Sequence, residues 1–210
     1  MDRKLEKFLL DHSSGEDPVL EDLYRQTHIR FINPNMVCGH LQGKFLEMIS
    51  RMIAPSDILE IGTFTGYSAI CLARGLRPGG SLITIEPDDE HLDFINHYFL
   101  KAEVSDRITI ITGKAQEIVP GIESDFDLVY IDGDKREYCE YYNLVINKVR
   151  NGGFILADNV LWDLKALDKT TTDAQTMGIM EFNEMIRKQK NIDKLMLPLR
   201  DGVMIIRKNS

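Results

Sequence analysis

From Asp57 to Ala157 the chain repeats one pattern, a short apolar run followed by a turn and a stretch with helical spacing. The runs are Ile58–Ile61, Ser81–Glu86, Ile108–Thr112, Phe126–Ile131 and Gly153–Ala157. Between them Tyr67–Leu76, His91–Lys101, Ala115–Val119 and Tyr138–Val149 read as helices. Strands alternating with helices predict a mostly parallel sheet with helices on both faces. The tail breaks this rhythm: after a helix at Ala174–Lys190, the strand-like runs Lys194–Leu199 and Val203–Lys208 are joined by Leu199-Arg200-Asp201-Gly202. Asp-Gly between apolar runs signals a hairpin. Seven strands result, the last pair antiparallel.

Ahead of this core, Lys4–His12, Pro18–Thr27 and Gly39–Ile53 read as helices, the third through Leu41, Phe45, Met48, Ile49 and Met52. A chain of 210 residues with no repeat and no long linker is expected to be a single domain, residues 1–54 an N-terminal helical arm and 55–210 the core.

Two strands end on carboxylates, in Ile131-Asp132-Gly133-Asp134-Lys135 and Ala157-Asp158-Asn159. The carboxyl edge of an open α/β sheet is where ligands bind. An oxygen-only set of Asp132, Asp158 and Asn159 suits a hard divalent cation, Mg2+ first, with Mn2+ or Ca2+ as alternatives. Lys135 adds a candidate general base. Asp134 also reads as a helix cap, which an acid after a strand often is.

The glycine turn Glu60-Ile61-Gly62-Thr63-Phe64-Thr65-Gly66-Tyr67-Ser68 has neither the Gly-x-Gly-x-x-Gly spacing of a pyrophosphate binder nor a Walker lysine. Glu60 at the strand end would repel pyrophosphate and suits an ammonium or sulfonium. Glu86, ending the next strand, is placed to clamp ribose hydroxyls. Together these favour S-adenosylmethionine (SAM) over NAD or ATP.

The net charge of −8 gives no general attraction for a phosphate backbone. Cys38, Cys71 and Cys139 are odd in number and lack metal or redox spacing, and the N-terminus carries no signal-like apolar stretch, so a cytoplasmic protein is expected. His12, His28, His40, His91 and His97 are scattered without metal-ligand pairing.

These segments, with Gly152-Gly153, Asp158-Asn159-Val160-Leu161-Trp162 and Leu197-Pro198-Leu199-Arg200-Asp201-Gly202, resemble in order and content the cation-dependent O-methyltransferases that include catechol and caffeoyl-CoA O-methyltransferases. The likeness runs from Met36 to Arg207. It implies a Rossmann-like class I methyltransferase fold whose last strand inserts antiparallel. It also implies metal ligation by Asp132, Asp158 and Asn159, and Lys135 beside the acceptor oxygen, with Asp132 and Lys135 catalytic. SAM contacts would come from Met36, Cys38, Glu60, Gly62, Phe64, Ser68, Glu86, Ala115, Gln116 and Asp132. The acceptor would be a small vicinal diol and the protein a homodimer. Three positions depart from the family pattern: Gly133 replaces an alanine, Lys114 an acid, and Leu164 a glycine.

Such a site would act by in-line methyl transfer to a metal-oriented hydroxyl, with a lysine beside the cation as proton acceptor because like charges disfavour the ammonium form. Two rivals remain at this stage. One is O-methylation of a hydroxylated uridine in tRNA, for which Arg25, Arg30, Lys44 and Arg51 could form a local basic patch. The other is a non-catalytic SAM-binding protein, against which the intact ligand set and lysine argue. A nicotinamide oxidoreductase fails on the glycine spacing and the hairpin.

Overall fold

A computed structural model describes residues 3–168 and 170–209. Seven strands form one sheet in the order β3-β2-β1-β4-β5-β7-β6. They are β1 (Asp57–Ile61), β2 (Ser81–Glu86), β3 (Ile108–Thr112), β4 (Phe126–Ile131), β5 (Val149–Ala157), β6 (Ile192–Leu197) and β7 (Val203–Lys208). Strands β1 to β5 pair in parallel, and β7 inserts antiparallel between β5 and β6. The predicted Rossmann-like class I methyltransferase architecture is therefore present, hairpin included.

Alternate strand residues face opposite layers, which explains the near-continuous apolar runs. Ile58, Leu128, Tyr130 and Leu156 pack under α2 (Pro18–Arg30), α3 (His40–Ile53), α4 (Tyr67–Ala73) and α5 (Leu92–Lys101). Leu59, Ile61, Val129, Ile131 and Ile155 pack under α6 (Ala115–Ile118), α7 (Tyr138–Val145) and α8 (Ala174–Lys188). A first helix, α1 (Arg3–Asp11), precedes these. Helix α2 starts where its chemistry dictates: Asp17 accepts from the amides of Val19 (2.8 Å) and Leu20, with Pro18 in the first turn. Asp173 caps α8 in the same way, accepting from Thr176 N at 2.8 Å.

The sequence boundaries shift at a few ends. Helix α4 stops at Ala73 rather than Leu76, because the chain must bring Gly75 against Ser50, where a Cβ would lie 2.2 Å from the hydroxyl. The helix after β4 ends at Val145, and a tight turn at Ile146–Lys148 leads into a β5 that begins at Val149. That early part of β5 pairs across a register irregularity between Phe126 and Leu128, and its polar Arg150-Asn151 concealed it from the hydropathy pattern. Among the described residues no helix is long and apolar enough to cross a membrane.

At the carboxyl edge the ladder continues one residue past the strands. Gly113 N donates to Glu86 O (2.9 Å), Gly62 N to Ile85 O (3.0 Å), Asp132 N to Ile61 O (2.8 Å) and Asp158 N to Ile131 O (3.0 Å). The loops after β1, β3, β4 and β5 are thus tied to a neighbouring strand at their first residue, whereas the loop after β2 opens on Pro87, which has no N–H to give.

Candidate active site

The crossover order reverses between β1 and β4, the switch point at which open α/β sheets bind ligands. The loop after β1 turns at Gly62, whose φ of +100° favours glycine. A Cβ there would also sit 2.3 Å from the Asp132 carbonyl oxygen. The cofactor-type turn and the acid-bearing loop therefore touch backbone to backbone. Glu86 stabilises the turn: its Oε2 accepts from Phe64 N (2.6 Å) and Thr63 N (3.2 Å), and its Oε1 from Asp88 N (3.2 Å). Burial still pushes its pKa up against those backbone bonds.

Glu60 lies deeper, fully buried. Its Oε2 accepts from Thr84 Oγ1 at 2.6 Å, and the Thr84 and Thr63 hydroxyls bond at 2.5 Å. Its Oε1 is buried with no hydrogen-bond partner. Burial raises the Glu60 pKa to about 8, against the lowering effect of the nearby Ser68 and Thr84 hydroxyls.

Register explains the second half of the site. Ile131 pairs with Ala157, so Asp132 and Asp158 leave β4 and β5 side by side, one strand spacing apart. Lys135, 6% exposed, donates to Asp132 Oδ1 at 2.6 Å and to Tyr138 Oη at 2.8 Å, and its ammonium lies 4.9 Å from the Tyr138 ring centre. Burial raises the Asp132 carboxyl to about 7, with the Asp158 charge acting in the same direction and Lys135 opposing. Asp158 is held by Gln42 and by Tyr130 Oη (3.0 Å) and accepts from Asn159 N at 2.8 Å. Asn159 adopts a left-handed φ of +55°, a conformation Asn tolerates better than most side chains.

One cavity of about 650 Å³, within the range of small-molecule sites, collects these groups. Met36, Cys38, Gly62, Phe64, Ser68, Glu86, Asp132, Lys135, Asp158 and Asn159 all line it. Three residues expected to contact cofactor do not line it. Glu60 is sealed within the sheet layer, Ala115 is buried at the start of α6, and Gln116 donates to Glu140 Oε2 at 3.2 Å. Asp134 accepts from Arg136 N at 3.0 Å and pairs with the Arg136 side chain, so it does cap the turn at Lys135–Glu137.

The residues of this edge match a family model described as O-methyltransferase over residues 10–209. The chain belongs to the O-methyltransferase family. It is 36% identical over 162 residues to a catechol O-methyltransferase of Niastella koreensis, covering 75% of this chain and 73% of that one. The O-methyltransferase TomG from Streptomyces achromogenes, involved in tomaymycin synthesis and solved in complex with SAM, superimposes with a TM-score of 0.91 at 28% identity. That match covers 99% of this chain and 96% of the other. An O-methyltransferase from Bacillus cereus in complex with SAH gives 0.90 at 29% identity, covering 98% and 97%.

Within this O-methyltransferase the departures from the family pattern have local accounts at two positions. At Gly133 a Cβ would lie 2.8 Å from the Tyr141 ring, so this chain fills with an aromatic the space that alanine would need. Leu164 closes a run of three left-handed residues, Trp162, Asp163 and Leu164, with φ of 48°, 54° and 62°. A glycine would take that backbone at less cost. Nothing in the structure explains Lys114.

Sequence reasoning passed over Gln42, Tyr130, Tyr138 and Arg200. Gln42, 1% exposed, bridges Asp158 and Arg200, accepting from Arg200 Nη1 at 3.1 Å. Tyr138 Oη donates to the Asp158 carbonyl at 3.0 Å while accepting from Lys135. The available signal was Gln42 on the same helical face as Leu46, a polar residue at a core position.

Proposed function

We propose that this O-methyltransferase moves the methyl group of SAM onto one hydroxyl of a small catechol-like diol, with a divalent cation held by Asp132, Asp158 and Asn159. The observation that carries this reading is the register of β4 and β5. It sets two carboxylates side by side in the cavity that the Gly62 turn and Glu86 also line.

The residues fit both groups. Burial is the main cause of the raised Asp132 carboxyl, the neighbouring Asp158 charge adds to it, and a divalent cation would offset both. Among the described residues no cluster of three or more His, Cys, Asp or Glu side chains gathers. A cation would thus rest on two carboxylates and one amide, leaving positions for diol oxygens and water. For SAM, the cavity-lining Glu86 is an acidic group suited to the ribose, while Glu60, with its Oε1 unpartnered, does not reach the cavity.

A cation bound there supplies Lewis acidity, lowering the hydroxyl pKa of the diol it orients. The chain does the rest. Lys135 Nζ, fixed by Asp132 and Tyr138, is the group that would receive the hydroxyl proton as the free amine, after its ammonium proton has been released. Tyr130 and Gln42 hold Asp158 in one orientation, so the acceptor is positioned by a rigid set of oxygens. Met36 to Cys38 border the cavity and help exclude water from the reacting atoms. Ala115 and Gln116 contribute to the adenine end only through the α6 start that they occupy.

Ion pairing reduces the basic patch on which the tRNA alternative rests without cancelling it. Arg25 pairs with Asp22, and Lys44 and Arg51 both pair with Glu47. Arg30 is occupied with Gln26 and the Phe94 face. A homodimer in the cytoplasm, one domain per chain, is the setting we propose for this activity. A labelled-methyl transfer screen over catechols, hydroxycinnamoyl thioesters and bulk tRNA, each with and without Mg2+, tests the reading. Transfer to catechols that requires Mg2+ is expected, and Mg2+-independent transfer or tRNA labelling alone would overturn it.

A further inference from the structure

One cation in the cavity has no task in that scheme. Arg200, in the turn between β6 and β7, lines the cavity together with Cys38, Asp158, Asn159 and Trp162. Its Nη1 donates to Val37 O and to Gln42 Oε1, both at 3.1 Å. Gln42 passes that tether on to Asp158, so the guanidinium is fixed one carboxamide away from a proposed metal ligand. Of the two cations lining the cavity, Lys135 is neutralised by Asp132, whereas Arg200 makes no ion pair among the described residues. Nε and Nη2, the side-on edge of the guanidinium, carry no hydrogen bond among the described residues. That edge is the fork that takes a carboxylate through two parallel bonds.

We propose that Arg200 docks a carboxylate carried by the acceptor, so that the preferred substrate is an acidic catechol and not a neutral one. The inference rests on the diol reading above and deepens it. Glu86, Asp132, Asp134, Asp158 and Asp201 also line the cavity and repel an anion, so Arg200, the lining cation outside an ion pair, is where a carboxylate could dock. A purely structural role, tying the hairpin to the Met36–Cys38 segment, engages one nitrogen of three. The backbone at residue 200 is left-handed, φ +48°, a conformation that glycine takes without strain. An arginine stands at that strained position, and its charge is the part that the tether to Val37 and Gln42 leaves unused.

The test measures kcat/KM with Mg2+ and SAM for protocatechuate, its methyl ester and catechol, on the wild-type enzyme, Arg200→Gln and Arg200→Lys. The wild type is expected to favour the acid over its ester by about tenfold or more, mainly through KM, for two charge-assisted bonds. Arg200→Gln brings that ratio to one or below, and Arg200→Lys retains part of it by keeping charge without the fork. A structural arginine would lower all three acceptors together and leave the ratio in place, which overturns the proposal. Calorimetric binding of protocatechuate against its ester, on wild type and Arg200→Gln, gives the same ratio without turnover. If catechols bind with the acid preference but are not methylated, the diol-transfer reading fails and the Arg200 assignment stands. Equal binding of acid and ester to the wild type removes the assignment whatever the turnover.

Discussion

The two edges of the sheet are both rich in acids, and they handle them in opposite ways. At the amino edge Arg150 donates to Asp127 Oδ1 at 2.6 Å and to Asp57 Oδ2 at 2.8 Å, while Asp127 Oδ2 accepts from Ser56 N at 2.6 Å. Burial there pulls Asp127 upward, but Arg150 and the backbone amides outweigh it and hold the carboxyl below its ordinary value. At the carboxyl edge Glu60, Glu86 and Asp132 are all raised, chiefly by burial. One edge satisfies its charges from within the chain. The other keeps carboxylates short of cations, which is the state expected of a surface completed by a sulfonium and a metal ion.

The sharpest way to break that contrast is Asp158→Ala. Divalent-dependent transfer should fall by on the order of a thousandfold, since Lewis-acid stabilisation amounts to several kcal/mol. SAM binding, read by calorimetry, should stay close to wild type because Asp158 leaves a different strand from Glu60 and Glu86. Unchanged turnover after chelator washing would reject the metal assignment. Next comes Glu60→Gln, read in the unliganded protein. The Glu60 carboxyl sits at about 8 in the fold against an ordinary 4.5. A raised acid contributes stability that is fully present below its unfolded value and is lost as pH rises through the folded one. The melting temperature of wild type should therefore decline between about pH 5 and about pH 8, and the Gln variant should decline less. Parallel curves would show that Glu60 does not titrate in this window. The smallest effect belongs to the amino edge. Arg150→Met should cost about 1 kcal/mol in urea unfolding, because both ion pairs are partly exposed, and should leave kcat unaltered.

Sequence made the strands and the acid-bearing ends readable because both are local. Asp132 and Asp158 each follow directly on an apolar run, so the end of the run marks the edge at which the carboxylate emerges. Gln42 was hidden for the opposite reason: its partner Asp158 lies 116 residues away and reaches it only after α3 packs on the completed sheet. Arg200 read as part of a hairpin turn, and its direction into the cavity depends on a contact with Val37, 163 residues distant. The early half of β5 escaped because Arg150 and Asn151 serve the amino edge and the strand margin, where hydropathy carries no strand signal.

The amide-to-carbonyl ties at Gly113, Gly62, Asp132 and Asp158 have a consequence for how acceptor preference can diversify. With the first residues of these four loops pinned, the spacing between the proposed methyl-donor and metal sites is inherited from sheet geometry and not from loop composition. Segments 31–35 and 163–177 lie outside those ties, so substitutions there can reshape the proposed acceptor pocket while the sheet-borne groups keep their spacing. A library confined to those two stretches should shift selectivity without resetting the chemistry.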